Sequence, residues 1–299
     1  MDGRIVGAVE AGGTKFNCAL ARGVNDILVS LRIPTTTPLE TMSAVVAFFT
    51  RAQSRFGDAT AFGIGSFGPL DLDTTSSTYG QILPTPKKGW TGADLLSPLQ
   101  QQFGRPIGLD TDVNAAALAE LEYGGEGLNS LCYVTVGTGV GGGVAIDGRP
   151  LHGMLHPEMG HMIVRRDPRD TLFPGICPFH GDCLEGLVCG PAIRARWGAT
   201  IDEIPAALDA PAIVGGYLGQ LATNIALMLS CQRIVFGGGV MTSGSVLPHI
   251  RSSMQSLLNN YLPVPRLRGA LSNYITAPSL GDHSGLSGAI RMALRCMVP

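Results

Sequence analysis

The stretch LCYVTVGTGVGGGVAI, residues 131–146, is an apolar run, a turn crowded with glycine, and a second apolar run. That pattern predicts two antiparallel strands, 131–136 and 143–146, joined by a tight turn over 137–142. The same layout stands about 127 residues earlier, where RIVGAV (4–9) and FNCALA (16–21) flank Glu10-Ala11-Gly12-Gly13-Thr14-Lys15. Two copies of strand, glycine turn and strand in one chain argue for internal duplication of an α/β domain, with a cleft between the copies. A length of 299 residues is that of about two domains.

Outward from these two units, 39–55 carries Met42, Val45, Val46 and Phe49 at helical spacing, and 61–64 reads as a buried strand followed by the loop Gly65-Ser66-Phe67-Gly68-Pro69. Pro84, Pro86, Lys87, Lys88, Gly89 and Trp90 mark a loop whose polar and aromatic groups are available to a pocket. A strand over 106–109 runs into Asp110-Thr111-Asp112, and the Ala-rich 113–123 reads as a helix. The apolar spacing of 211–231 is helical and feeds a strand, 233–236, ending in a third glycine cluster, Gly237-Gly238-Gly239. Residues 280–293 read as a turn and a C-terminal helix. The expected division is a smaller lobe over 1–112, with the helix 283–299 packing back on it, and a larger lobe over 113–282.

Composition narrows the function. There are 21 basic and 23 acidic residues, only 15% of the chain is charged, and no basic block occurs, so a nucleic-acid surface has little to be built from. Two stretches, 127–146 and 210–232, are uncharged over a membrane-spanning length. The first holds a glycine cluster and the second is broken by Gln220, Thr223 and Asn224, so both read as buried parts of a fold with no membrane partner. The start lacks a long apolar signal core. Seven scattered cysteines in such a chain argue against a disulfide scaffold, and the expectation is a cytoplasmic protein.

Three glycine turns at strand ends offer unobstructed backbone N–H groups to phosphate oxygens. Thr14, Lys15 and Thr138 add hydroxyls and a cation, and none of the three turns matches a P-loop. Where the 106–109 strand meets its helix, Asp112 is a candidate base for an attacking hydroxyl. The bland reading is an Asp capping that helix. The densest cluster is Glu158-Met159-Gly160-His161 followed by Cys177-Pro178-Phe179-His180-Gly181-Asp182-Cys183 and Glu185. Cys177, His180 and Cys183 with His161 make a closed Cys2His2 set suited to structural zinc. Cys18, Cys132, Cys189, Cys231 and Cys296 lack such company and read as core residues.

Taken together, GGTK (12–15), TDVNAAAL (111–118), GTGVGGG (137–143), EMGH (158–161), CPFHGDCLEGL (177–187) and FGGGV (236–240) resemble the ROK family of sugar kinases over nearly the whole chain. TPKKGW (85–90) and His180, where glucokinase-type relatives carry cysteine, are similar to the zinc-containing bacterial fructokinase branch. The resemblance implies a duplicated, two-lobed actin-like fold related to ribonuclease H. It implies MgATP and a hexose, most simply D-fructose, in the interlobe cleft, and a homodimer. Carried over, Asp112 is the base; Gly68, Thr111, Glu158, His161 and Glu185 contact sugar. Gly12, Gly13, Thr14, Lys15, Thr138 and Gly139 hold phosphates, and Gly237, Gly238 and Gly239 face adenosine. Relatives commonly carry Asp where Glu10 stands and Asn where Thr111 stands. Competing expectations are a kinase for glucose, mannose or an N-acyl hexosamine, and a non-catalytic sugar-sensing regulator. The regulators of the family carry a helix-turn-helix ahead of the first strand, which here begins by Arg4–Ile5.

Overall fold

The computed structural model describes residues 4–124 and 127–296. They divide into two compact units, each with its own sheet. Unit 1 holds the described residues within Met1–Ala119, Arg149–Pro157 and His283–Pro299, and unit 2 holds those within Glu120–Gly148 and Glu158–Asp282. Residues 113–119 and 149–157, expected from sequence in the larger lobe, thus belong with unit 1. Residues 297–299, the end of the expected C-terminal helix, lie outside the described residues.

In unit 1 the chain runs β1 (Ile5–Ala11), β2 (Lys15–Gly23), β3 (Asp26–Pro34), α1 (Pro38–Phe56), β4 (Ala59–Ser66), α2 (Ser97–Phe103), β5 (Ile107–Thr111) and into α3 (Asp112–Tyr123). The sheet order is β3-β2-β1-β4-β5, with β1 antiparallel to β2 and parallel to β4, and β4 parallel to β5. Helix α1 starts in a capping box, Glu40 N–H donating to Thr37 Oγ1 (3.3 Å) and Thr37 N–H to Glu40 Oε2 (3.4 Å). It buries Met42, Val45, Phe48, Phe49 and Ala52, and the Phe49 and Phe62 rings meet edge-on at 5.0 Å. Gly7 is obligatory beneath them, because a side chain there would run into the Phe62 ring.

Unit 2 repeats the plan with β6 (Ser130–Val136), β7 (Val140–Ile146), α4 (Leu184–Val188), α5 (Gly190–Trp197), α6 (Ala210–Leu229), β9 (Ile234–Gly237), α7 (Leu247–Leu258) and β10 (Ile275–Thr276), while the two-residue β8 (Arg149–Pro150) falls among the residues of unit 1. Within unit 2 the order β7-β6-β9-β10 is that of β2-β1-β4-β5 in the first sheet, with β6 antiparallel to β7 and parallel to β9. The duplication read from the glycine turns is therefore present strand for strand. One boundary differs: the strand begins at Val140, so Gly141 and Gly142 are strand residues paired with Thr135 and Val134. Their small size serves packing, since Met159 occupies the space a Gly142 side chain would fill. Helix α6 is long and apolar enough to cross a membrane, yet 61% of its most apolar window is buried inside the fold.

The last helix, α8 (Ser284–Arg295), packs on unit 1. Contact is backbone to backbone: side chains at Gly63 and Gly288 would collide with the main chain of Ala289 and Ala115. A side chain at Gly65 would likewise come within 2.9 Å of Ala115 Cβ. These glycines let α3 and α8 settle onto the sheet, which explains why 113–119 follow unit 1. Trp90 corrects the reading of its loop. Its ring is fully buried against Phe16 (5.5 Å) and Phe67 (5.4 Å), with Nε1 donating to Thr36 O (2.9 Å), so it builds core and not a pocket wall. Cys296 is exposed, unlike the other cysteines outside the metal set, because it follows the final turn of α8 at the surface.

Candidate active site

In unit 1 the site is built at the carboxyl ends of β4 and β5. Asp112 is the first residue of α3, and its Oδ1 accepts from Val113 N–H (2.9 Å). Burial pushes its carboxyl up to about 7, with the charge of Glu10 adding to the shift and backbone hydrogen bonds opposing it. A carboxylate matched to neutral pH is what a general base requires. Glu10 is fixed by Asn17, whose amide donates to Oε2 (2.7 Å), and by the close passage of Gly285. Thr111 is buried and its Oγ1 accepts from Asn114 N–H (3.1 Å), so its hydroxyl caps α3. The turn between β1 and β2 is closed by Gly12 N–H to Lys15 O (3.0 Å) and braced by Thr35 Oγ1 on Gly12 O (2.8 Å). Thr14 and Lys15 are exposed at its tip. Gly68 passes His156 so closely that a side chain there would come within 3.2 Å of the ring.

In unit 2 the matching turn between β6 and β7 is closed by Gly137 N–H to Gly139 O (2.9 Å), and Gly137 O accepts from Gly190 N–H (2.7 Å) at the start of α5. Thr138 is exposed. Glu185 backs this turn: Oε2 accepts from Val140 N–H (2.8 Å), and a side chain on Gly139 would fall 2.6 Å from that oxygen. The third glycine cluster ends β9. Gly238 sits at φ +90°, where a side chain would lie 2.5 Å from Val136 O and 2.7 Å from Thr135 Oγ1. Only glycine fits there.

The four metal candidates converge. His161, Cys177, His180 and Cys183 each present one ligand atom, all within 4.8 Å of one another. Cys177 Sγ lies 3.7 Å from His161 Nδ1 and 3.6 Å from His180 Nδ1, and Cys183 Sγ lies 3.5 Å from His161 Nδ1. A tetrahedral zinc with bonds of ~2.3 Å to sulfur and ~2.0 Å to nitrogen spaces S and N about 3.5 Å apart, so the donor set fits. The knuckle is a tight hairpin, with Cys177 N–H on Gly181 O (3.0 Å) and Gly181 N–H on Cys177 O (2.9 Å). Gly181 adopts the left-handed φ of +64° that this turn needs. With Nδ1 facing the cluster, His161 keeps Nε2 outward, 4.0 Å from Glu185 Oε1. Glu158 is exposed and begins the short turn Met159–His161, which lies on β7 because Gly160 allows Val140 O against it. Glu158, His161, Glu185 and the Thr138 turn therefore gather in unit 2, while Asp112, Thr111, Gly68 and the Gly12 turn belong to unit 1.

Two histidines escaped the sequence reading. In the segment 149–157, His156 Nε2 accepts from Leu70 N–H (3.0 Å), and burial lowers its pKa and keeps it neutral. His152 Nε2 faces Asp110 Oδ2 at 3.0 Å, and this hydrogen bond raises its pKa. Neither partnership is visible in sequence spacing.

Residues 6–295 match the ROK family. The chain belongs to that family. It is 46% identical over 298 residues to a fructokinase of Zymomonas mobilis, covering 98% of this chain and 97% of that one. Among solved structures, a ROK hexokinase from Thermus thermophilus superposes with a TM-score of 0.73 at 26% identity, covering 97% and 98% of the two chains. A ROK-family transcriptional regulator shares the fold at TM-score 0.72 and 19% identity, covering 97% of this chain and 81% of that one. The repeated sheets are accordingly those of the duplicated actin-like fold of this family.

Proposed function

We propose that this ROK protein is an ATP-dependent hexose kinase that transfers the γ-phosphoryl group to the C6 hydroxyl of D-fructose. One observation carries the catalytic half of the reading: Asp112, at the start of α3, is a half-buried carboxyl poised near 7. It takes the proton of the attacking hydroxyl while that oxygen bonds the γ-phosphorus and ADP leaves. The fructose half is supported by the 46% identity to a fructokinase over nearly the full length.

In this reading Gly12, Gly13, Thr14, Lys15, Thr138 and Gly139 hold the phosphates of MgATP, and Gly237, Gly238 and Gly239 face adenosine. Gly68, Thr111, Glu158, His161 and Glu185 contact the sugar, and Thr111 also caps α3. Zinc held by His161, Cys177, His180 and Cys183 is structural: all four positions are filled by protein, leaving none for water or substrate. Its service is to order the segment that carries Glu158, His161 and Glu185. The protein works in the cytoplasm as a homodimer.

The test is ATP consumption against a panel of hexoses with mass analysis of the product. Fructose 6-phosphate at the highest kcat/KM is expected. A higher kcat/KM for glucose or mannose would reduce the reading to hexose kinase. Sugar binding without turnover of any hexose would favour the regulator, the reading for which the shared fold of a ROK regulator speaks.

A further inference from the structure

Asp110 is 3% exposed, and its carboxylate is fully engaged. Oδ1 accepts from Thr111 N–H (2.7 Å) and Asn114 Nδ2 (2.7 Å), and Oδ2 faces His152 Nε2 at 3.0 Å. The ring nitrogen facing the carboxylate must carry the hydrogen, which sets the tautomer and orientation of the imidazole. The opposite nitrogen, Nδ1, has no hydrogen bond among the described residues, and the His152 side chain is 38% exposed. A buried acid thus holds an accessible imidazole by one nitrogen and leaves the other on offer.

Its position matters. Asp110 pairs in register with Gly65 and Thr111 with Ser66, so Asp110 and Asp112 both stand at the carboxyl edge of the parallel strands β4 and β5. Ligands of open α/β sheets collect at that edge. The segment Arg149–Pro157 is tied there twice, by His152 to the end of β5 and by His156 to Leu70 in the loop after β4. The two histidines differ in the way that separates a staple from a contact. His156 is 5% exposed and spends its Nε2 on a backbone N–H, whereas His152 stays open with Nδ1 unspent.

We infer that His152 is a sugar-binding residue, held by Asp110 through Nε2 and hydrogen-bonding one hydroxyl of the hexose through Nδ1. A hydroxyl is the matching group because it both donates and accepts: neutral His152 accepts its proton at Nδ1, and protonated His152 donates to its oxygen. The class of ligand rests on the hexose-kinase reading; the choice of residue rests on the geometry of unit 1.

The experiment compares wild type, His152→Ala and His152→Gln by calorimetric titration with fructose in the absence of ATP, by steady-state kinetics, and by thermal melting. Loss of one hydrogen bond to a hydroxyl should weaken fructose binding and raise its KM about 5–30-fold, with kcat and the KM for ATP within about twofold. Gln, whose amide can span the two partners, should restore part of the affinity. A panel of mono-deoxy fructose analogues supplies the readout that a merely structural residue would not move. For one analogue, wild type and His152→Ala should bind equally, and for the others the gap should persist. If His152→Ala melts early, the same comparison is read on His152→Gln. Wild type that binds and phosphorylates fructose while the folded variants bind it equally well would overturn the inference and leave the kinase reading standing. Wild type that binds no hexose would overturn both.

Discussion

Activity should climb about tenfold between pH 6 and pH 8. Burial and the charge of Glu10 raise the Asp112 carboxyl from 3.8 to about 7. Only the ionised form accepts a proton, so the competent fraction is about 9% at pH 6, half at pH 7 and about 91% at pH 8. An Asp of ordinary pKa would leave the profile flat across that range. The acid limb of kcat/KM at saturating MgATP reports this group in the free enzyme. Glu10→Gln removes the second cause of the shift while leaving burial in place. Loss of that like charge should move the limb to lower pH. Linkage supplies an independent check. A carboxyl whose folded pKa is raised favours the folded state below its unfolded pKa, and that contribution is lost as pH rises through about 7. Asp112→Asn should therefore melt higher than wild type at pH 8, with the difference shrinking as the pH falls below 7. A flat kcat/KM from pH 5.5 to 8, unmoved by Glu10→Gln, would refute the assignment of the limb to Asp112.

Elemental analysis should find about one zinc per chain, and Cys177→Ser or Cys183→Ser should lose both the metal and sugar affinity; zinc-free protein with an unchanged hexose KM would make the knuckle a remote staple. Gly160→Ala drives a methyl into Val140 O, a clash with rigid main chain that costs about 1–3 kcal/mol. Its Tm should fall by several degrees and its hexose KM should rise through displacement of Glu158 and His161, and a wild-type melt would contradict the packing. Trp90→Phe removes the hydrogen bond to Thr36 O and should lower stability by about 1–2 kcal/mol with hexose KM unchanged. A changed KM with an intact melt would return Trp90 to the pocket.

The duplication was legible because it is written in local chemistry: a strand must end where glycines turn the chain, and it does so at Gly12 and at Gly137. The zinc set was legible for the same reason, since three of its ligands fall within one knuckle. What stayed hidden depends on partners distant in sequence. Gly141 and Gly142 read as turn because Met159, which fills the space beside Gly142, comes later in the chain. Strand β3 was missed because most of its residues are exposed or half-buried, which leaves no clean alternation. Segment 149–157 was assigned to the wrong unit because the Asp110 and Leu70 contacts that hold it cross long stretches of chain. Thr111 reads as a sugar-contact position by resemblance, and its further role, accepting at Oγ1 from the N–H of Asn114, shows only in the fold.

The central claim is that Asp112 accepts the proton of the attacking hydroxyl, and the direct measurement is kcat of Asp112→Asn with fructose and MgATP, alongside calorimetric fructose binding. The substitution keeps the shape of the side chain and removes its basicity. Fructose affinity should stay within a few-fold of wild type while kcat falls about 10²–10⁴-fold. A folded Asp112→Asn enzyme that keeps more than about a tenth of the wild-type kcat would contradict the account.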